Sequence, residues 1–185
     1  MSTQKRPSFE NLNYTDQNLA VSRPRQDSSR ESKSPELTEL LAKVDAALQA
    51  GRPKHGIDLI ARSQNRSPWA MNALGVCNLR LGKYTEAIDI FRSLVLNTAT
   101  LALREDAPTL FKINFATALL ADHKVNGCID VLSEINNDAH PSAQQLWAAI
   151  NDWKCRFNVW ERIDQFLGGE PTRPLNLDWP LGELE

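Results

Sequence analysis

The sequence predicts an all-α fold built as a stack of antiparallel helix pairs, and three observations carry the prediction. First, a ten-residue pattern recurs. Gly51–Ile60 reads G-R-P-K-H-G-I-D-L-I, Gly82–Phe91 reads G-K-Y-T-E-A-I-D-I-F, His123–Leu132 reads H-K-V-N-G-C-I-D-V-L, and Phe157–Phe166 reads F-N-V-W-E-R-I-D-Q-F. Each copy places Ile-Asp at the same offset, and the copies start 31, 41 and 34 residues apart. Spacings of this size mark arrays of helix pairs, each of which buries its faces on its neighbours. Second, Ser34-Pro35-Glu36 and Ser67-Pro68 are helix starts. Serine accepts from the first free N–H groups, and proline suits the first helical position. Third, Leu37, Leu40, Leu41, Val44 and Leu48 form a one-sided apolar stripe at helical spacing.

In chain order, residues 1–33 are expected to be a disordered arm. VSRPRQDSSRESKS is polar and lacks an apolar period. Phe9, Leu12, Tyr14 and Leu19 form its more apolar half, a short docking segment if the arm has one. The helical repeat domain spans 34–169, about four helix pairs. Its first helix stops near Gly51, and the next starts around Pro53. The 41-residue spacing leaves seven residues over a 34-residue period, near Leu101 to Ala107. A longer second helix in that unit is the favoured reading of the excess, and a protruding loop over 102–107 is the other. Residues 170–185 form an extended Pro/Leu/Trp tail. Pro171, Pro174 and Pro180 preclude a continuous helix. Leu175, Leu177 and Trp179 alternate as an extended segment laid on a surface would, so the tail is expected to pack across the last helices or to enter the chain's own groove, or else a partner's.

The second unit, W-A-M-N-A-L-G-V-C-N-L-R-L-G-K-Y-T-E-A-I-D-I-F-R-S-L from Trp69, resembles the tetratricopeptide repeat family. Leu74 and Gly75 match its Leu-Gly pair, Gly82 and Tyr84 its turn, and Ala87 and Phe91 its second helix. Met71, Asn78 and Leu94 depart from it. The likeness is fullest over 67–98, looser over 37–66 and 107–140, and least over 142–168. In the third unit Phe115 and Ala116 take the Leu-Gly place and Cys128 the small position. The resemblance implies a right-handed superhelix whose first helices line a concave, peptide-binding groove. The family's groove positions fall on Trp69, Asn72, Val76 and Arg80, on Leu110, Ile113 and Thr117, and on Gln144, Trp147, Asn151 and Lys154. Leu41 and Asp45 stand where some members carry residues that clamp a terminal carboxylate, and Asn114 matches only one such place. Trp153, Phe157, Trp160 and Trp179 are candidates for an interface or for docking the tail.

Composition narrows the function classes. A net charge of −2 gives no reason to expect nucleic acid. No apolar run approaches the roughly 18 residues of a membrane helix, and MSTQKRPSFENLNY does not read as a secretory signal, so no membrane partner is expected and the cytoplasm is the expected compartment. Cys77, Cys128 and Cys155 match no metal or redox spacing. His55, His123 and His140 are isolated, and no phosphate loop or hydrolase elbow occurs. Equivalent Asp residues of successive units stand about 10 Å apart, too far to share an ion. The expectation is therefore a non-catalytic interaction scaffold or adaptor, with no cofactor or metal, binding a protein or peptide of unknown identity. The alternatives are a self-associating protein, such as a homodimer, whose groove is filled by its own tail or a second copy, and, less favoured, an accessory chain of an enzyme with its polar cluster near His140.

Overall fold

A computed structural model of the chain describes residues 34–135, 140–156 and 177–184. The expected arm, the second helix expected for the fourth unit with the candidates Phe157 and Trp160, and the tail as far as residue 176 lie outside the described residues. Those described form seven helices: α1 (Pro35–Gln49), α2 (Pro53–Ser63), α3 (Pro68–Arg80), α4 (Tyr84–Val95), α5 (Thr109–Ala121), α6 (Val125–Ile135) and α7 (Pro141–Cys155). They pack as sequential antiparallel pairs, α1 on α2, α3 on α4 and α5 on α6, and each pair packs on the next. The first helices also meet one another, α1 on α3, α3 on α5 and α5 on α7, so together they form one side of the stack. Among the described residues there is no strand, only one isolated bridge between Leu96 and Leu103. The fold is thus an all-α stack of helix pairs.

Local chemistry sets the helix ends. Ser34 Oγ accepts from the Leu37 N–H at 3.2 Å, and Ser67 Oγ accepts from the Ala70 N–H at 3.3 Å. The turn inside each pair is the same structure three times. Gly51, Gly82 and His123 have φ of 68°, 73° and 59°. The residue after each bonds back around the turn: Arg52 N–H to Ala47 O, Lys83 N–H to Asn78 O, and Lys124 N–H to Leu119 O. This is the glycine-terminated helix end, in which the left-handed residue lets the next N–H reach a carbonyl of the last turn. These three residues are also the first residues of the sequence copies, so the repeat in sequence is a repeat in geometry. His123 occupies a conformation that its Cβ disfavours. Substituting His123→Gly is expected to raise stability by about 0.5–1 kcal/mol, the strain relieved less the entropy added to the unfolded chain. A urea titration with unchanged slope would register it.

The pairs close through small residues. A Cβ on Gly75 would stand 2.6 Å from two ring carbons of Phe91, so α3 and α4 meet at a contact only glycine permits. Gly56 does the same between α2 and α3, where a Cβ would stand 2.8 Å from Cys77 Sγ. Phe91, Phe111, Ile113, Leu120, Leu146 and Ile150 are among the fully buried side chains. Ile88 is buried and Ile57 and Ile129 are half-buried, while Asp58, Asp89 and Asp130 are exposed, so the repeated Ile-Asp is a core residue beside a solvent residue.

The extra residues between units two and three are a loop, which corrects the expected longer helix. α4 ends at Val95. The Asn97 side chain accepts from the N–H groups of Ala99 and Thr100, turning the chain where a helix would need those donors. Leu101 adopts φ 59°, and the Asn97 N–H then donates to Ala102 O.

Cys77 and Cys128 are buried and Cys155 is exposed. Burial pushes both inner thiols up to about 12. Because the thiolate is the reactive form, folded protein at pH 8 is expected to take up one equivalent of a thiol reagent rapidly, and three after denaturation. Above the ordinary thiol value near 9 the unfolded chain releases these protons and the folded chain keeps them, so stability falls as pH rises from about 9 towards 12.

Candidate functional site: a groove that holds an extended segment

The side formed by the first helices carries polar groups at positions that otherwise belong to a core. Asn72 on α3 is 1% exposed and Asn114 on α5 is 0% exposed. α5 is buried nearly all round, the burial pattern of a helix covered on every face. A buried amide with no partner costs about 1–3 kcal/mol, so both need partners, and the described residues hold no buried unpaired side-chain N or O. Their partners are each other and the main chain of Glu183, in the segment 177–184.

Asn114 grips one residue of that segment from both sides. Its Oδ1 accepts from the Glu183 N–H at 2.9 Å, and its Nδ2 donates to the Glu183 carbonyl at 2.8 Å. This is the pairing that a neighbouring β-strand would offer, supplied by a carboxamide. Asn114 Nδ2 also donates to Asn72 Oδ1 at 2.9 Å, and Asn72 Nδ2 lies 3.5 Å from the same Glu183 carbonyl. Arg80, at the end of α3, donates from Nε to Leu181 O at 2.6 Å and from Nη2 to Gly182 O at 3.0 Å. Burial lowers the Arg80 pKa from its ordinary value, and the Asp45 charge on α1 pushes it back up. Its position at the negative end of α3 also favours the cation.

Side chains complete the seat. Ser142, in the first turn of α7, donates from Oγ to a carboxylate oxygen of Glu183. The N-terminal end of a helix favours negative charge there. His140 Nδ1 accepts from the Ser142 N–H at 3.3 Å and so caps the same turn. Gly182 has φ 79°, and a Cβ there would meet the two Val76 methyl carbons at 3.1 and 3.2 Å and Leu79 Cδ2 at 3.3 Å. Val76 thereby sets how near the segment comes to α3. Leu184 is 8% exposed and joins the core, and Leu177, Trp179 and Leu181 pack against it. Beside the segment, between it and α1, a cleft of about 730 Å³ remains, lined by Leu41, Asp45, Leu48, Arg80, Pro180 and Leu184 among others.

The residues expected to line a groove divide into groups. Asn72, Val76 and Arg80 meet at the segment. Trp69 is half-buried and stacks edge-on against Phe111, with ring centroids 4.9 Å apart, and Leu110 packs on the core beside it in sequence. Ile113 and Thr117 are buried, and the Thr117 hydroxyl donates to Ile113 O within its own helix. On α7, Trp147 and Lys154 are half-buried while Gln144 and Asn151 are exposed. Trp153 is 4% exposed, a core residue of α7 rather than part of an exposed patch. Trp179 is half-buried on the core. Ser142 is not among the expected groove residues, and Asn114 is expected only at one carboxylate-clamp place. Asn114 had a signal, an amide in the middle of a helix of otherwise apolar or small residues.

The described residues hold no group of three or more His, Cys, Asp or Glu side chains placed to bind a metal, and none of their helices is long and apolar enough to cross a membrane. Fold and site together define a stack of helix pairs with the non-helical segment 177–184 seated against its first helices. No protein-family model, curated protein or solved structure compared with the chain matches it.

Proposed function

We propose that the chain is a non-catalytic protein-interaction scaffold of tetratricopeptide type that receives an extended peptide in the groove over α3, α5 and the start of α7. The observation that carries this reading is the two-sided grip of Asn114 on the main chain of Glu183, extended by Arg80 on the two preceding carbonyls. Main-chain groups are common to every polypeptide, so a site built to read them is a site for polypeptide. The apolar seat of Leu184 supplies the buried contact that gives such a site its affinity. A net charge of −2 and the absence of a basic cluster favour a protein partner over nucleic acid, and free thiols fit a reducing compartment such as the cytoplasm.

The test uses the full chain carrying Gly182→Val, which displaces its own segment, against a displayed library of unstructured peptides. Enrichment is expected on this chain and is expected to vanish when Asn114→Leu is added. Equal recovery from both chains, or no recovery, contradicts the reading.

The second reading is self-association, in which the segment seats in the groove of another copy. The occupied groove favours it, because a segment that fills this groove fits the identical groove of a second molecule. Light scattering distinguishes the two. A dimer that dissociates on Leu184→Asp supports exchange between copies, and a monomer at all concentrations excludes it.

A further inference from the structure

We infer that the partner peptide carries an aliphatic–Gly–Glu–aliphatic sequence, for which residues 181–184 of the chain are the built-in competitor. This rests on the peptide-binding reading above and adds to it the chemistry of the ligand. Each position follows from what surrounds it.

The position of Gly182 accepts glycine alone. Its φ of 79° is one that residues with a Cβ rarely adopt, and the Val76 and Leu79 methyl groups crowd that Cβ at 3.1–3.3 Å. At the next position both main-chain groups are held by Asn114, so proline is excluded there, and the side chain reaches Ser142 at the start of α7. A carboxylate fits that place, whereas a lysine would set a cation against the positive end of α7. At the fourth position the side chain enters the core, as Leu184 does, and a charged residue would be buried without a partner. The first position offers its carbonyl to Arg80 and a half-buried side chain to the core, which an aliphatic residue satisfies. Position 180 is exposed and demands little, in keeping with a proline that has no N–H to satisfy.

The chain's own segment is tethered, so it competes at an effective concentration on the order of millimolar. A partner peptide of the same sequence therefore binds the native chain far more weakly than a chain whose segment has been displaced.

The test is a titration of a fluorescent synthetic peptide, Leu-Asp-Trp-Pro-Leu-Gly-Glu-Leu, the sequence of residues 177–184, into the full chain carrying Gly182→Val. The full chain carrying Leu184→Asp is run in parallel, and a cooperative thermal melt is checked for both, so that a folding defect in one leaves the other to decide. Saturable binding is expected to either displaced chain, at least about tenfold tighter than to the native chain. Peptides carrying Gly182→Ala, Glu183→Lys or Leu184→Asp are each expected to lose about tenfold or more in affinity, the scale of a lost buried contact. Equal binding of all four peptides overturns the inference while leaving a main-chain-reading groove intact. Enrichment, from the displayed library, of sequences without Gly-Glu does the same. No binding of any peptide to folded, displaced chains overturns both the inference and the peptide-binding reading, and leaves the segment as a fixed part of the fold.

Discussion

The Gly75→Val chain is expected to be less stable than the native protein by about 2–3 kcal/mol, the cost of overpacking a closed interior. The reason is a single contact. Any Cβ at Gly75 stands 2.6 Å from the Phe91 ring, and Phe91 is itself 0% exposed, so the ring has nowhere to turn. Phe91→Ala alone leaves a cavity and is expected to cost about 3–5 kcal/mol. Their combination is the informative variant. The valine side chain enters the space the ring vacates, so the double variant should be more stable than the sum of the two losses by about 1–3 kcal/mol. Chemical denaturation of the four chains measures this coupling. Additive losses would mean that α3 and α4 do not meet at this contact.

Asn114→Leu is expected to release the segment 177–184 while leaving the helical stack folded. The variant removes both bonds to the Glu183 main chain and the bond to Asn72. Leaving those groups unpaired costs about 2–3 kcal/mol against docking, which shifts the docked-to-free ratio roughly 30- to 140-fold. Leucine is close in size to asparagine and stabilises a helix at least as well, so α5 itself has no reason to unfold. Helical circular dichroism should stay near the native value while Trp179 fluorescence shifts towards that of an exposed indole. An unchanged Trp179 emission would show that the amide does not hold the segment.

The sequence discloses the stack more readily than the groove, and the physics explains the difference. Gly51, Gly82 and His123 recur because the same left-handed turn recurs, and Ser34 and Ser67 recur because helix starts need an acceptor. Such local requirements leave local marks. The loop after Val95 is harder to see. Its turn depends on one side chain, Asn97, taking over donors that a helix would use, and asparagine occurs in many settings. The groove is harder again. Asn72, Val76 and Arg80 lie on one helix, α3, yet Asn114 and Ser142 come from other units and meet Glu183 only through the packing of α3, α5 and α7. The alternation of Leu175, Leu177 and Trp179 leads to the expectation of an extended segment but does not say where it seats; Leu175 lies outside the described residues. The hydrogen bonds are made by 181–183, where recognition runs through the main chain and through the left-handed Gly182, and neither leaves a side-chain pattern to read.

If the groove reads the main chain of this segment, the Glu183 amide is shielded from solvent, and amide hydrogen exchange at that residue measures the shielding. The Glu183 N–H donates to a side chain that is 0% exposed. In the native chain it is expected to exchange about a hundredfold or more slowly than an unstructured amide, and in Asn114→Leu at close to the unstructured rate, with α3 and α5 amides protected in both. Exchange of the native Glu183 amide at the unstructured rate would mean that Asn114 does not hold the segment.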